Sequence, residues 1–167
     1  MAEPLLRGLA PVVAPDTRLL VLGSFPGVAS LAAQQYYGHP RNQFWPLLAA
    51  LWQQPLVDWP YERRLAFVRA HGLGIWDVYA RCRRPGSLDA DIRDAERNDL
   101  AGLAATLPQL ALIAHNGGES AHAMRITRAL GVPVMRLPST SPAHASWSFE
   151  RKCVAWRQAF EAAGLLG

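Results

Sequence analysis

The order of apolar segments predicts an α/β fold: three layers, α/β/α, built on a short four-stranded, mainly parallel central sheet. Three observations carry this prediction. Residues 18–23, 74–79, 110–114 and 132–137 are short runs apolar on both faces, as strands covered by helices on each side must be. Segments with helical spacing lie between them, so strand and helix alternate. The stretches richest in Gly, Pro and Ser begin where two of these runs end, which places two loops at strand ends facing one crevice.

The elements follow in order. The first fifteen residues fit either a helix or an arm laid on the sheet. Residues 18–23 form the first strand, and a long loop runs from there through Asn42. Phe44, Leu47, Leu48, Leu51 and Trp52 then recur at i, i+3, i+4, i+7 and i+8, the stripe of an amphipathic helix in which Phe44 and Trp45 enter the core. A second helix spans residues 61–70 and stops before Gly72. Residues 74–79 form the second strand. Residues 81–90 read as a polar loop turning at Pro85-Gly86. Residues 91–107 read as mostly helical, with acids early, where the helix dipole favours them. The third strand is 110–114. Gly117-Gly118 opens a helix that runs to Leu130, with Gly131 beyond its end. The fourth strand, 132–137, leads into the second loop. Phe149, Cys153, Trp156 and Phe160 make the apolar stripe of a last helix.

Composition bounds the function. A chain of 167 residues, half of them apolar, is expected to fold as one domain over residues 1–167 with a substantial core. No run is long and apolar enough to span a bilayer, and the start, broken by Pro4 and Arg7, does not read as a signal peptide. A cytoplasmic, monomeric protein is the expectation, with Cys82 and Cys153 as reduced, buried thiols. Two cysteines alone hold neither a four-cysteine zinc site nor an iron–sulfur cluster. The net charge is +4, and sixteen of the seventeen basic residues are Arg, a balance that suits an anionic partner. Lys152 is the single lysine.

The loops carry the chemistry. The first begins Gly23-Ser24-Phe25-Pro26-Gly27 and ends Tyr36-Tyr37-Gly38-His39-Pro40-Arg41-Asn42-Gln43-Phe44-Trp45. A Gly-rich backbone beside aromatic rings suits a planar base and its phosphates. Neither a Walker sequence nor a GxGxxG is present, which argues against a nucleoside triphosphate or dinucleotide site. Tyr37, ahead of Gly38, is the stacking candidate. Asn42 has two readings: a helix N-cap, which spacing alone favours, or a side chain that orients water or reads a base edge. His39 reads as a surface histidine or a proton-transfer group. Asp77 ends a strand, as catalytic acids often do, or simply caps or pairs with an Arg. His115-Asn116 is equally open. Arg81, Arg83 and Arg84 read first as a solvated charged loop. In the second loop, Leu137-Pro138-Ser139-Thr140-Ser141-Pro142-Ala143-His144, hydroxyls and exposed amides suit phosphate contact without lysine.

These motifs together resemble the uracil-DNA glycosylase superfamily. Its mismatch-specific branch has Gly-x-Asn-Pro-Gly after the first strand, where this chain has Gly23-Ser24-Phe25-Pro26-Gly27, and His-Pro-x-Asn-x-Phe-Trp, matched by residues 39–45. Its thymine-excising members have Met-Pro-Ser-Ser-Ser, close to residues 137–141. The hypoxanthine-DNA glycosylase branch matches most fully: Gly-Ser-Phe-Pro-Gly, the Gly-His-Pro-Arg-Asn-x-Phe-Trp run, and a Gly-Ser-Leu-Asp loop found here as Gly86-Ser87-Leu88-Asp89. Two departures argue against efficient uracil excision by the usual route. Phe25 stands where many relatives carry an Asp or Asn that handles water, and Leu137 stands where the strongest uracil-excising enzymes carry a His.

The resemblance implies hydrolysis of the N-glycosidic bond of a flipped, deaminated base in double-stranded DNA, most readily hypoxanthine. It moves Asn42 into the catalytic role, holding water through its amide oxygen. Gly23, Ser24, Phe25, Pro26, Gly27 and Tyr37, with Asp77, are the expected base-binding set. Ser139, Thr140, Ser141, Pro142, Ala143 and His144 are expected to bind DNA. No metal or organic cofactor is implied. Lys152, expected in the last helix, offers no Schiff base, so strand cleavage is not expected. The rival readings are a uracil or mismatched-thymine glycosylase, a non-catalytic DNA-binding module, and a Ser hydrolase using Ser24, His144 or His39, and Asp77.

Overall fold

The computed structural model describes residues 3–166. Its centre is a four-stranded sheet of β2 (Leu19–Gly23), β3 (Leu73–Asp77), β6 (Leu112–Asn116) and β7 (Val134–Leu137), in the order β3-β2-β6-β7 and parallel throughout. The period of two along each strand divides its residues between two cores. Leu19, Val21, Leu73, Ile75, Leu112, Ala114 and Leu137 face one side. There they meet α2 (Phe44–Trp52), α3 (Tyr61–Ala70) and α7 (Phe149–Ala162), whose Phe44, Leu47, Trp156 and Phe160 are fully buried. Leu20, Leu22 and Ile113 face the other side, against Leu100 and Ala123. The expected three-layer architecture and all four central strands are present.

The register brings functional residues to one end. Gly23 pairs with Asp77 and Asn116 with Leu137, so the strand C-termini finish at one level. This is where open parallel sheets bind ligands.

Five segments depart from the sequence reading. Residues 74–79 do not form one strand. β3 ends at Asp77, the Val78 and Tyr79 amides turn to donate to the Gly23 and Ser24 carbonyls at 2.8 and 3.1 Å, and β4 (Tyr79–Arg83) begins a second sheet. That sheet is antiparallel, ordered β1-β4-β5, with β1 at Leu6–Arg7 and β5 at Arg93–Arg97. The polar loop expected at 81–90 therefore starts as a strand. The helix expected over 91–107 is instead a short 3-10 turn (Asp89–Asp91), β5, and α4 (Leu100–Ala105). β5 has no apolar stripe to bury as a helix. Its acids pair across the ladder instead, Arg81 with Glu96 at 2.6 Å and Arg83 with Asp94 at 3.4 Å.

The helix expected from 118 to 130 splits into α5 (Gly118–Ala121) and α6 (Met124–Arg128). His122 and Ala123 donate to residues three back, the tighter 3-10 pattern, and break the α register. Within the first loop, α1 (Val28–Ala33) forms a turn and a half that the reading of a continuous loop missed. The N-terminal stretch is an arm, not a helix: Val12 and Ile75 exchange two backbone hydrogen bonds of 2.8 Å. Its first two residues lie outside the described ones. Cys82 is buried, Cys153 only half-buried, and both are free thiols. Among the described residues no helix is long and apolar enough to cross a membrane.

Candidate active site

A cavity of about 340 Å³ opens at the C-terminal ends of the central strands. Both loops line it. Gly23, Ser24, Phe25, Pro26, Gly27, Tyr37, Asn42 and Asp77 come from the first half of the chain, and Ser139, Thr140, Ser141, Pro142, Ala143 and His144 from the second motif. Every site residue expected from the sequence thus borders one space. His39 borders it too, as do Ser87, Leu88 and Asp89 of the Gly-Ser-Leu-Asp loop.

The floor is packed tightly around Gly23. A Cβ there would come within 2.4 Å of Asp77 Oδ1 and 3.1 Å of the Tyr37 hydroxyl, so any side chain would displace the carboxylate. Asp77 is only 4 % exposed, and its Oδ2 has no hydrogen-bond partner. Burial, with a smaller push from the Asp89 charge and against the pull of Arg84, raises its pKa to about 7. The caps-or-pairs reading of Asp77 finds no support in its contacts: it makes no ion pair among the described residues.

Arg84 corrects another expectation. It is buried, not solvated, and donates to the Pro26 carbonyl at 2.6 Å and the Gly86 carbonyl at 2.5 Å. Its guanidinium lies over the Phe25 ring at 5.3 Å. Ser24 Oγ donates to Asp89 Oδ1 at 2.7 Å, and the Val28 amide donates to Ser87 Oγ at 2.9 Å. The Gly-Ser-Leu-Asp loop therefore latches the first motif into shape. The Gly23 and Ser24 carbonyls accept from Val78 and Tyr79, which ties this backbone to the start of β4. Ser24 has a carboxylate as its partner and no histidine, so the Ser hydrolase constellation is not assembled.

Tyr37 sits at φ +55°, uncommon for a non-glycine residue. Its ring stacks on Phe44 with centroids 4.0 Å apart, and its hydroxyl accepts from Asn116 Nδ2 at 3.2 Å. Burial, reinforced by Asp77, raises its pKa, so the hydroxyl keeps its proton. Asn42 stands one residue before the cap of α2, which is Gln43. Its Oδ1 accepts from the Phe44 amide at 2.9 Å, closing an Asx turn. Asn42 is therefore not the cap itself; it precedes the cap, secures the Phe44 amide and lines the cavity.

Asn116 is the residue that sequence reasoning left undecided and the structure makes central. Its Nδ2 donates to the Tyr37 hydroxyl and to Thr140 Oγ1 at 3.0 Å, and its Oδ1 accepts from the Thr140 amide at 3.0 Å. It staples the two motifs together. Thr140, 1 % exposed, spends its polar atoms on this staple and on Gln43, whose amide donates to the Thr140 carbonyl at 2.9 Å. Ser139 and Ser141 stay partly exposed, each accepting from the amide two residues on. Asn116→Ala should strand three buried polar groups and cost about 3 kcal/mol, read as a lower urea midpoint at unchanged m-value.

The two remaining candidate histidines, His115 and His144, separate. His115 is fully buried between Ser120 Oγ (2.9 Å) and Thr127 Oγ1 (2.8 Å), and burial lowers its pKa to about 4. Ser120 gives its own proton to the Leu22 carbonyl, so His115 Nδ1 donates to it. This is a neutral core histidine outside the cavity. His144 lines the cavity, and its pKa is lowered by burial and by Lys152 and Arg136. Leu137, 1 % exposed, belongs to the core.

Comparisons with known proteins bear on the family and the fold. The family model described as Uracil DNA glycosylase superfamily matches residues 10–163. Two curated relatives named "Hypoxanthine DNA glycosylase" are similar over nearly their whole length. The one from Methanosarcina acetivorans is 37 % identical over 92 % of this chain and 97 % of its own, and the one from Methanosarcina barkeri is 37 % identical over 93 % and 98 %. The solution NMR structure of a Methanosarcina acetivorans protein, described as a candidate uracil DNA glycosylase, superposes with a TM-score of 0.87. It is 35 % identical, with 96 % of this chain and 99 % of that one covered.

Proposed function

This chain belongs to the uracil DNA glycosylase superfamily, and from that premise we propose that it is a hypoxanthine-DNA glycosylase. It hydrolyses the N-glycosidic bond of deoxyinosine in duplex DNA. The observation that carries this reading is the single cavity bounded by both motifs, with Asn42 and Asp77 on its wall and no aspartate at position 25.

The nucleotide leaves the stack at a cost of a few kcal/mol, least for the poorly paired hypoxanthine–thymine pair. The Tyr37 ring faces the base. The amides of Ser24 and Phe25, with Gly23, Pro26, Gly27 and Asp77, form the base cradle. The Asn42 amide oxygen has two lone pairs. One accepts from the Phe44 amide, and the other holds the attacking water. As the C1′–N9 bond breaks, positive charge develops on the sugar. Water adds its oxygen to C1′, and the base leaves with the bonding electron pair and takes up the proton that water loses, giving an abasic sugar and neutral hypoxanthine. Ser139, Ser141, Pro142, Ala143 and His144 hold the DNA backbone, and Thr140 shapes their loop from below.

Lys152 Nζ is bonded to Gln43 Oε1 and the His144 carbonyl and does not line the cavity. The product is therefore an abasic site in an intact strand. The protein acts as one domain, a monomer of the cytoplasm.

Single-turnover assays on duplexes carrying inosine, uracil or mismatched thymine test the proposal. Hypoxanthine should be released fastest, and strand breaks should appear only after alkali. Faster release of uracil would overturn the substrate assignment. Tight binding of inosine DNA without cleavage at enzyme excess would replace the enzyme by a binding module.

A further inference from the structure

The chain buries its only lysine. Lys152 is 1 % exposed on the inner face of α7, one turn from Trp156. Its Nζ donates to Gln43 Oε1 at 2.8 Å and to the His144 carbonyl at 2.7 Å. It forms no ion pair with any carboxylate among the described residues. A buried ammonium without a counter-ion costs several kcal/mol even after relaxation. Two neutral acceptors take two of its three protons and leave its charge. A glutamine there could brace the same two groups without that cost. The charge lies directly beneath the second loop, and the other charged group acting on His144 is Arg136, also positive. Among the described residues no carboxylate pairs with it, and above it the loop turns Pro142 and Ala143 to solvent.

We propose that Lys152 is the fixed counter-charge for a DNA backbone phosphate held on the loop of residues 139–144, acting through the loop and not by contact. The inference rests on the glycosylase reading. Inside a low-dielectric layer a charge acts over longer distances than it does in water, so a lysine below the loop favours phosphate above it. Lys152 is then a positioning residue, coupling phosphate capture to Gln43, the neighbour of Asn42.

Because there is one lysine, protein labelled with 13C at lysine Cε gives a single lysine side-chain resonance. Its pH titration should be followed free and bound to a duplex carrying 2′-fluoro-deoxyinosine, which resists cleavage. An anion stabilises the charged form, so the Lys152 pKa should rise on binding. A rise of about one unit equals a tenfold preference of DNA for the charged protein. DNA bound by anisotropy with the titration unmoved, or moved down, would overturn the proposal. Lys152→Met keeps the aliphatic stem and provides the second readout. It should weaken inosine-DNA binding about tenfold and make the plot of log Kd against log salt shallower by up to about 0.9. A mere strut would lower stability and leave that slope unchanged, which also overturns it. Failure to bind any inosine duplex is a separate result and sinks the glycosylase reading itself.

Discussion

Replacing Asn42 with alanine is expected to slow single-turnover excision of hypoxanthine about 10³-fold while inosine-DNA affinity changes less than about threefold. The size follows from removing a group that positions the attacking water, and no neighbour replaces it: Phe25 occupies the place where relatives keep an acid or amide. The same substitution also loses the bond from the Phe44 amide, worth about 1 kcal/mol of stability. The two losses separate in Asn42→Ser. Serine closes the same kind of turn, so the urea midpoint should return toward wild type. Its hydroxyl is shorter than the amide and does not reach the same water, so excision should stay at least a hundredfold down. An Asn42→Ser protein with wild-type excision would reduce Asn42 to a cap.

Much of this site was legible because its signals are local. Residues 18–23 and 110–114 read as strands because both faces are apolar, and the strands that form there, Leu19–Gly23 and Leu112–Asn116, are buried throughout. Phe44 and Trp45 read as core because they begin a helical stripe. The residues that hold the site together gave no such signal. Asn116 earns its place through partners 79 and 24 positions away, which no window of sequence contains. Arg84 looks solvated beside Arg81 and Arg83, and only the return of Pro26 and Gly86 to one spot buries it. β5 is exposed at every position, so neither a helical nor a strand period appears in it. Lys152 follows the same rule: a lysine on a helix reads as surface until the loops of Gln43 and His144 close over it.

Asp77 stands at a strand end as the sequence suggests, but its protonation depends on its burial and, to a smaller degree, on Asp89 and Arg84, an environment that a sequence window does not contain. It sets the second large effect, a pH dependence of fixed sign. The folded pKa is raised from 3.8 to about 7, so the folded chain holds this proton more tightly than the unfolded one. Below about pH 4 both states are protonated and there is no penalty. Between about 4 and 7 the unfolded chain loses its proton first, and stability falls as pH rises, up to roughly 4 kcal/mol in total. Asp77→Asn stays neutral throughout. It should therefore match wild type near pH 5 much more closely than at pH 8, where it should be about 2 kcal/mol or more the stabler in urea. Excision should follow the same group. Negative charge gathers on the departing base, and an ionised Asp77 beside it opposes that charge, whereas the neutral acid donates a hydrogen bond. Wild-type excision should fall about tenfold per pH unit above 7, and Asp77→Asn should lack that limb. Asp89→Asn removes the neighbouring charge that helps hold the proton on Asp77, so it should move the fall to lower pH. A wild-type profile that Asp77→Asn leaves unchanged would show that this carboxyl does not face the base.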